Sequence, residues 1–226
     1  MNVGLDIGTT HISATLLDTT MGTITDSHSF SQRVVEGGIF GSYEEDVEVI
    51  ESVVDQIISE VKKPINSITV TGQVHGILYY DENFKSVSPL ATWLDHRSLA
   101  RIDGKTIEKL FFEETGISLP SGYGLLTHYA NMKLGLVPAT AVGFCGILEY
   151  ITGRLIGKEL HKSDPSCLGT YGAYDPVKGI FHEQVIDVVL GSSMRAPLDN
   201  SSPFEIAGYT KDGIAVTYPV GDNQAG

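Results

Sequence analysis

The stretch NVGLDIGTTHISATLLD, Asn2 to Asp18, constrains the fold more than any other. Val3 to Ile7 is a short run rich in β-branched residues, and His11 to Asp18 alternates imperfectly between apolar and polar. Both read as strands, joined by the turn Gly8-Thr9-Thr10. A second turn near Gly22 leads into a third strand, Thr23 to Phe30. The chain therefore opens as an antiparallel meander, with the carboxylate of Asp6 near the end of its first strand.

Composition limits the partners. With 226 residues the chain can bury a sizeable core, and 42% hydrophobic content is that of a globular protein. A net charge of −13 lacks the basic footprint that nucleic acids and anionic membranes attract, so neither is expected as a partner. A small phosphorylated ligand stays compatible, because it needs only backbone N–H groups or local positive potential. Cys145 and Cys167 show neither metal nor redox spacing, which points to a reducing cytosol. No stretch reads as a signal peptide, and no apolar run approaches the ~20 residues of a spanning helix. A soluble cytoplasmic protein is expected.

Periodicity places the remaining elements. Val47, Ile50, Val53, Val54, Ile57, Ile58 and Val61 recur at helical spacing. Ser42 and Glu45 suit a capping box at the start of that helix, Lys62 and Lys63 suit its end, and Pro64 stops it. INSITVTG reads as a strand ending at Gly72, followed by short strands in GILYYD and LATWLD. Helices are expected over Leu99 to Thr115, Leu125 to Leu134, Val142 to Thr152 and Phe181 to Leu190. Lys158 to Tyr174, rich in Gly, Ser and Asp, reads as a surface loop. GIAVTYPVGDNQAG is a strand running into a Gly-Asp turn. The sum is one α/β domain with an inserted or appended helical part.

Four stretches carry chemistry. In DIGTT, glycine admits close backbone approach, threonines and turn N–H groups can hold phosphate oxygens, and Asp6 can hold Mg²⁺. A tight hairpin turn explains the same residues without chemistry. In GQVHG, a bend at a strand end can present Gln73, Val74 and His75 to a polyhydroxylated ligand, or it is a bulge with a solvated histidine. In ATWLDHR, Trp93 can pack a sugar's C–H face while Asp95 and Arg97 take hydroxyls, or the charged pair is local. In GDNQAG, Asp222 can act as a general base toward a hydroxyl, or it is a turn or cap residue.

Together and in this order, the four resemble the signatures of the FGGY carbohydrate kinases. SGYGLLTHYANMKLG is similar to that family's substrate-loop helix, and AVGFCGILEYITG and HKSDPSCLGTYGAYD are similar to its next two segments. GQVHG and WLDHR place the chain nearest the xylulokinase and sedoheptulokinase side. The resemblance implies an actin-like, ribonuclease-H-like ATPase fold, a mixed sheet flanked by helices. It implies transfer of the ATP γ-phosphoryl to a sugar hydroxyl with Mg²⁺. By position, Asp6 is the metal and phosphate organiser, and Gly8, Thr9 and Thr10 form the phosphate turn. Gln73, Val74, His75, Asp95, Arg97 and Asn223 are sugar-site residues, and Asp222 is the base. Family kinases are often dimers, so a homodimer is compatible.

Two departures accompany the resemblance. Family members are roughly twice as long, so residues 1–226 are expected to be the N-terminal sugar-binding domain, with the nucleotide-binding C-terminal domain outside this chain. Cleft closure needs both, so negligible turnover is expected of these residues alone. Ser13 stands where many members carry Lys or Arg, and nearby His11 is mostly neutral near pH 7. The competing expectation is a sugar-binding or regulatory domain without catalysis, which retention of Asp6 and Asp222 opposes. A zinc-bearing sugar kinase of another actin-like family lacks support in the spacing and in the two cysteines.

Overall fold

The computed structural model describes residues 1–31, 35–36, 38–191 and 194–222. The meander forms as β1 (Asn2–Ile7), β2 (His11–Asp18) and β3 (Thr23–Ser31), paired antiparallel in that order. The Ser67–Gly72 strand then pairs parallel to β1, and Ala215–Thr217 and Val220–Gly221 pair parallel to Ser67–Gly72. Ile206–Tyr209 closes the far edge, so the sheet is mixed and seven-stranded.

Strand alternation divides the sheet into two unlike faces. Val3, Leu5, Ile7, Ile12, Ala14, Leu16, Ile68 and Val70 point into a buried core. Helix α1 (Val47–Glu60) packs there through Val47, Ile50, Val54 and Ile57. The intervening residues Gly4, Asp6, Ser13, Thr69 and Thr71 are small or polar and carry the other face.

Among the described residues the further helices are α2 (Ile107–Thr115), α3 (Gly124–Leu134), α4 (Ile147–Ile156), α5 (Pro165–Tyr171) and α6 (Glu183–Leu190). Ile147, Leu148 and Ile151 of α4 join the sheet core. Apolar residues of α2, α3 and α6 form a second core with Ile77, Tyr79 and Phe144.

Several local expectations are corrected. Ser42 caps nothing: its hydroxyl donates to the Ile39 carbonyl, and Tyr43–Glu45 is a strand paired with Leu90–Ala91. Asp46 is the N-cap of α1, its carboxylate accepting from Glu48 N at 2.9 Å. Lys62 and Lys63 lie beyond the end of α1. Leu99 to Thr115 is not one helix. A 3₁₀ turn at Arg97–Leu99 and a hairpin around Asp103 and Gly104, both at positive φ, precede α2. Gly143–Cys145 is a strand rather than the start of α4. The expected loop from Lys158 to Tyr174 contains α5, started by Asp164 as N-cap with Pro165 in the first turn.

Candidate active site

Three parallel strands end together. Ile7 of β1 is in register with Gly72, and Gly72 with Gly221. Ligands of open α/β sheets bind beyond the carboxyl ends of such strands. Asp6 sits near the end of the first, Gln73, Val74 and His75 follow the second, and Asp222 follows the third. Tertiary pairing thus gathers residues from three distant stretches at one end of the sheet.

Glycine makes the approach close. At Gly72, φ is +134° and a Cβ would stand 2.3 Å from the Ile7 carbonyl oxygen. Gln73 N donates to that same oxygen at 2.9 Å. Val74 packs against Gly221, where an added Cβ would meet Val74 Cγ1 at 2.9 Å. The packing places Asp222, exposed, directly beside the bend.

Asp6 is exposed, on the polar face, in register with Ser13 on one side and Thr71 on the other. Burial and then the charge of Asp222 raise its pKa above the ordinary carboxylate value. The two carboxylates therefore share one electrostatic site. The turn beside them is closed by Gly8 N donating to the His11 carbonyl at 3.0 Å. Thr9 Oγ1 donates to Gln73 Oε1 at 3.3 Å, and the exposed Thr10 hydroxyl lies 3.1 Å from His11 Nδ1.

His75 is a non-glycine residue at φ +74°, a conformation held only when its surroundings demand it. Its ring meets Tyr123 edge-on at 4.5 Å. Burial lowers its pKa, with the Thr170 backbone and the Asp222 charge pulling the other way. Gly122, at φ +91°, presses so close to Trp93 that a Cβ would meet the Trp93 carbonyl at 2.3 Å. That contact docks the loop bearing Tyr123 against Trp93, a residue that is 47% exposed.

Asp95 and Arg97 lie behind this wall, both buried. Asp95 Oδ1 accepts from Arg97 N and Nε, and its Oδ2 accepts from Arg97 NH2 and Tyr43 N. Arg97 also donates to Asn131 Oδ1 at 2.7 Å and Glu44 Oε1 at 2.8 Å. Burial opposes the guanidinium charge, but Asp95 and Glu44 outweigh it and raise the Arg97 pKa. The fork is committed to internal partners. The pair ties the Trp93 segment to Tyr43, Glu44 and Asn131. Asn223 lies outside the described residues.

Sequence reasoning missed one residue and undervalued another. Glu45, assigned to a cap, is buried with Oε2 accepting from Gln73 Nε2 at 2.8 Å. No local pattern signals this, because the partners are 28 residues apart. Tyr123, in the SGYG segment, stands against His75 with no pattern in the sequence to mark it.

Hard oxygen donors at this sheet end fit Mg²⁺. Asp6 and Asp222 supply carboxylates, and the buried Thr71 hydroxyl in register with Asp6 has no hydrogen-bond partner. Among the described residues no group of three or more His, Cys, Asp or Glu gathers as a metal cage. A metal here would complete its shell with water and phosphate oxygens.

Two carboxylates, a Gly-Thr-Thr turn and the Trp93 and Tyr123 rings thus gather at the parallel strand ends of a mixed sheet. The chain belongs to the FGGY family of carbohydrate kinases, whose N-terminal domain matches residues 1–219. It superposes on a xylulose kinase from Lactobacillus acidophilus with a TM-score of 0.80 at 19% identity, covering 98% of this chain and 48% of that one. A gluconate kinase from the same organism gives 0.79 at 18% identity, covering 98% and 48%. A Plasmodium falciparum glycerol kinase with ADP gives 0.70 at 17% identity, covering 100% and 49%. The fold is thus the actin-like ATPase fold of these kinase domains. This chain spans about half the length of those structures. None of the curated proteins matches it. No helix among the described residues is long and apolar enough to cross a membrane.

Proposed function

We propose that residues 1–226 form the N-terminal, sugar-binding domain of a cytoplasmic ATP-dependent kinase that phosphorylates a hydroxyl of a ketose or related polyol, of the xylulose or sedoheptulose type. The observation that carries this is the meeting of Asp6 and Asp222 across Gly72, with His75 and Trp93 beside them. Phosphoryl transfer asks for positioning, charge neutralisation and a base for the hydroxyl proton. Asp222 is the base. Asp6 would hold Mg²⁺, which when bound neutralises phosphate charge, and Gly8, Thr9 and Thr10 present the phosphate turn. Gln73, Val74, His75, Asp95, Arg97 and Asn223 shape the sugar pocket, with Trp93 packing a C–H face.

The nucleotide wall belongs to a C-terminal domain of the same protein, so these residues alone turn over negligibly. A coupled assay showing sugar-dependent ADP release at ordinary kinase rates from this chain overturns that point.

Thermal shift with D-xylulose, sedoheptulose, ribulose and glycerol tests the sugar site, since a ligand of the native state stabilises it by RT ln(1 + [L]/Kd). Selective stabilisation by one ketose, weakened in Asp222→Ala, is expected. No shift with any sugar, here and in the longer parent protein, overturns the assignment.

One observation favours a second reading, a sugar-binding domain without catalysis. Ser13 stands directly across from Asp6 and hydrogen-bonds Ser29, so no cation occupies that position. Sugar binding by the parent protein without ATP turnover would select it.

A further inference from the structure

A chain of hydrogen bonds runs from the interior to the rim of the site. Glu45 Oε2 accepts from Gln73 Nε2 at 2.8 Å. The Gln73 amide is thereby oriented with Oε1 toward Thr9, whose hydroxyl donates to it at 3.3 Å. Thr9 Oγ1 then turns lone pairs to Trp93 Nε1, which can only donate and does so at 3.0 Å. We propose that Glu45 is a positioning residue: through Gln73 and Thr9 it sets the orientation of the Trp93 indole, and so the shape of the sugar-facing wall.

Geometry supports this at both ends. Glu45 closes the Tyr43–Glu45 strand in register with Leu90, two residues before the Thr92-Trp93 bend. The strand pair that seats Glu45 therefore leads straight to Trp93, and the side-chain relay closes a ring. Glu45 is 2% exposed and Gln73 is 5% exposed, so water cannot easily compete for the first link. Trp93 leaves its face open while its edge is held, which is what stacking on a sugar ring requires.

A buried carboxylate is expensive, and an apolar side chain would fill the same volume at less cost. Burial pushes the Glu45 carboxyl up to about 7, against the opposing pull of the Gln73 amide. The ionised carboxylate can only accept and so fixes Gln73 Nε2 toward it, whereas the protonated carboxyl can also donate, so the orientation is held most firmly above neutrality. If Gln73 flipped, Thr9 would face two donors and its own proton would lose its acceptor. Glu45 prevents that flip. The step from indole orientation to sugar affinity rests on the proposed function; the orientation itself does not.

Trp93 is the chain's sole tryptophan, so intrinsic fluorescence reports this residue alone. Emission anisotropy and iodide quenching are measured on the 226-residue chain and on Glu45→Gln and Glu45→Leu. Glu45→Gln retains an acceptor for Gln73 and is expected to match the parent. Glu45→Leu is expected to lower the anisotropy and raise the quenching constant about twofold, with a cooperative melt retained. Identical Trp93 signals in all three overturn the proposal. Should Glu45→Leu fail to fold, Thr9→Val cuts the last link without disturbing the buried carboxylate. It must then release Trp93 in the same way, and an unchanged signal overturns the proposal. D-xylulose titrations add the functional arm, with Kd expected to rise about fivefold in Glu45→Leu and to stay near the parent value in Glu45→Gln. If no sugar binds even the parent chain, the sugar-kinase reading fails, while the fluorescence still decides the positioning role.

Discussion

Asp6 and Asp222 flank the Ser67–Gly72 strand from opposite sides, and the charge of Asp222 adds to burial in raising the pKa of Asp6. Asp222 also acts on His75, where it opposes the downward effect of burial. One exposed carboxylate thus influences the two other titratable groups at the strand ends.

Asp222→Asn should therefore move both groups the same way. Asp6 loses a repelling neighbour and titrates lower, while burial keeps it above its ordinary value. His75 loses an attracting neighbour and also titrates lower. NMR titration of the Asp6 carboxyl carbon and the His75 ring follows both. An unmoved Asp6 would show that the two carboxylates do not share a site.

Glu45 makes stability depend on pH. Its pKa rises from 4.5 to about 7 on folding, so between those values the native state binds more protons than the unfolded chain. Stability from this group is full below 4.5 and is lost as pH rises through about 7. The shift corresponds to about 3 kcal/mol at 1.36 kcal/mol per pKa unit. His128 works oppositely, because burial holds it near 4 and its contribution is lost as pH falls. The readout is therefore the difference between the parent chain and Glu45→Gln in urea melts at pH 5 and pH 8. Glu45→Gln should gain on the parent at pH 8 by up to about 3 kcal/mol relative to pH 5. A pH-independent difference would contradict the buried, raised carboxyl.

Arg97→Met should destabilise the chain by about 3–5 kcal/mol, because it leaves the buried Asp95 carboxylate without its counter-charge. Arg97→Lys should recover only part of that, since an ammonium cannot reproduce the bonds to Asp95, Asn131 and Glu44 together. Chemical denaturation measures both. Equal stability of the Lys variant and the parent would show that the guanidinium fork is dispensable.

Gly72→Ala and Gly104→Ala separate backbone conformation from close approach. Both glycines have positive φ, but nothing stands within 4 Å of a Cβ at Gly104. Gly104→Ala should cost about 1 kcal/mol. At Gly72 the added Cβ would also collide with the backbone of Ile7, so Gly72→Ala should cost about 3 kcal/mol or more. Melting of the two variants side by side tests this, and similar losses would argue against the tight pairing at the strand ends.

Much of the fold was legible because it rests on short-range periodicity. The meander of β1, β2 and β3 follows from alternation and two turns, and α1 from apolar residues at 3.6 spacing. Other elements carried signals that composition masked. Asp164 and Pro165 start a helix inside a Gly- and Ser-rich stretch, and Asp103-Gly104 breaks what looked like one long helix. The four motifs were legible as residue types in order, and folding brings Asp6, the Gly8–Thr10 turn, Gln73 to His75 and Asp222 to one end of the sheet.

What each of those residues can do was decided by the tertiary structure. Asp95 and Arg97 bind each other, and folding adds Tyr43, Glu44 and Asn131 as partners that no local pattern names. Glu45 read as a helix cap, and pairing with Leu90 turned it into a strand residue facing Gln73. Local pattern reports which side chains repeat along one element, because backbone geometry repeats every two or 3.6 residues. It is silent on which elements become neighbours. Hydrogen bonds and charges act only over a few ångströms, so partners from distant stretches exist only once the strands have closed side by side.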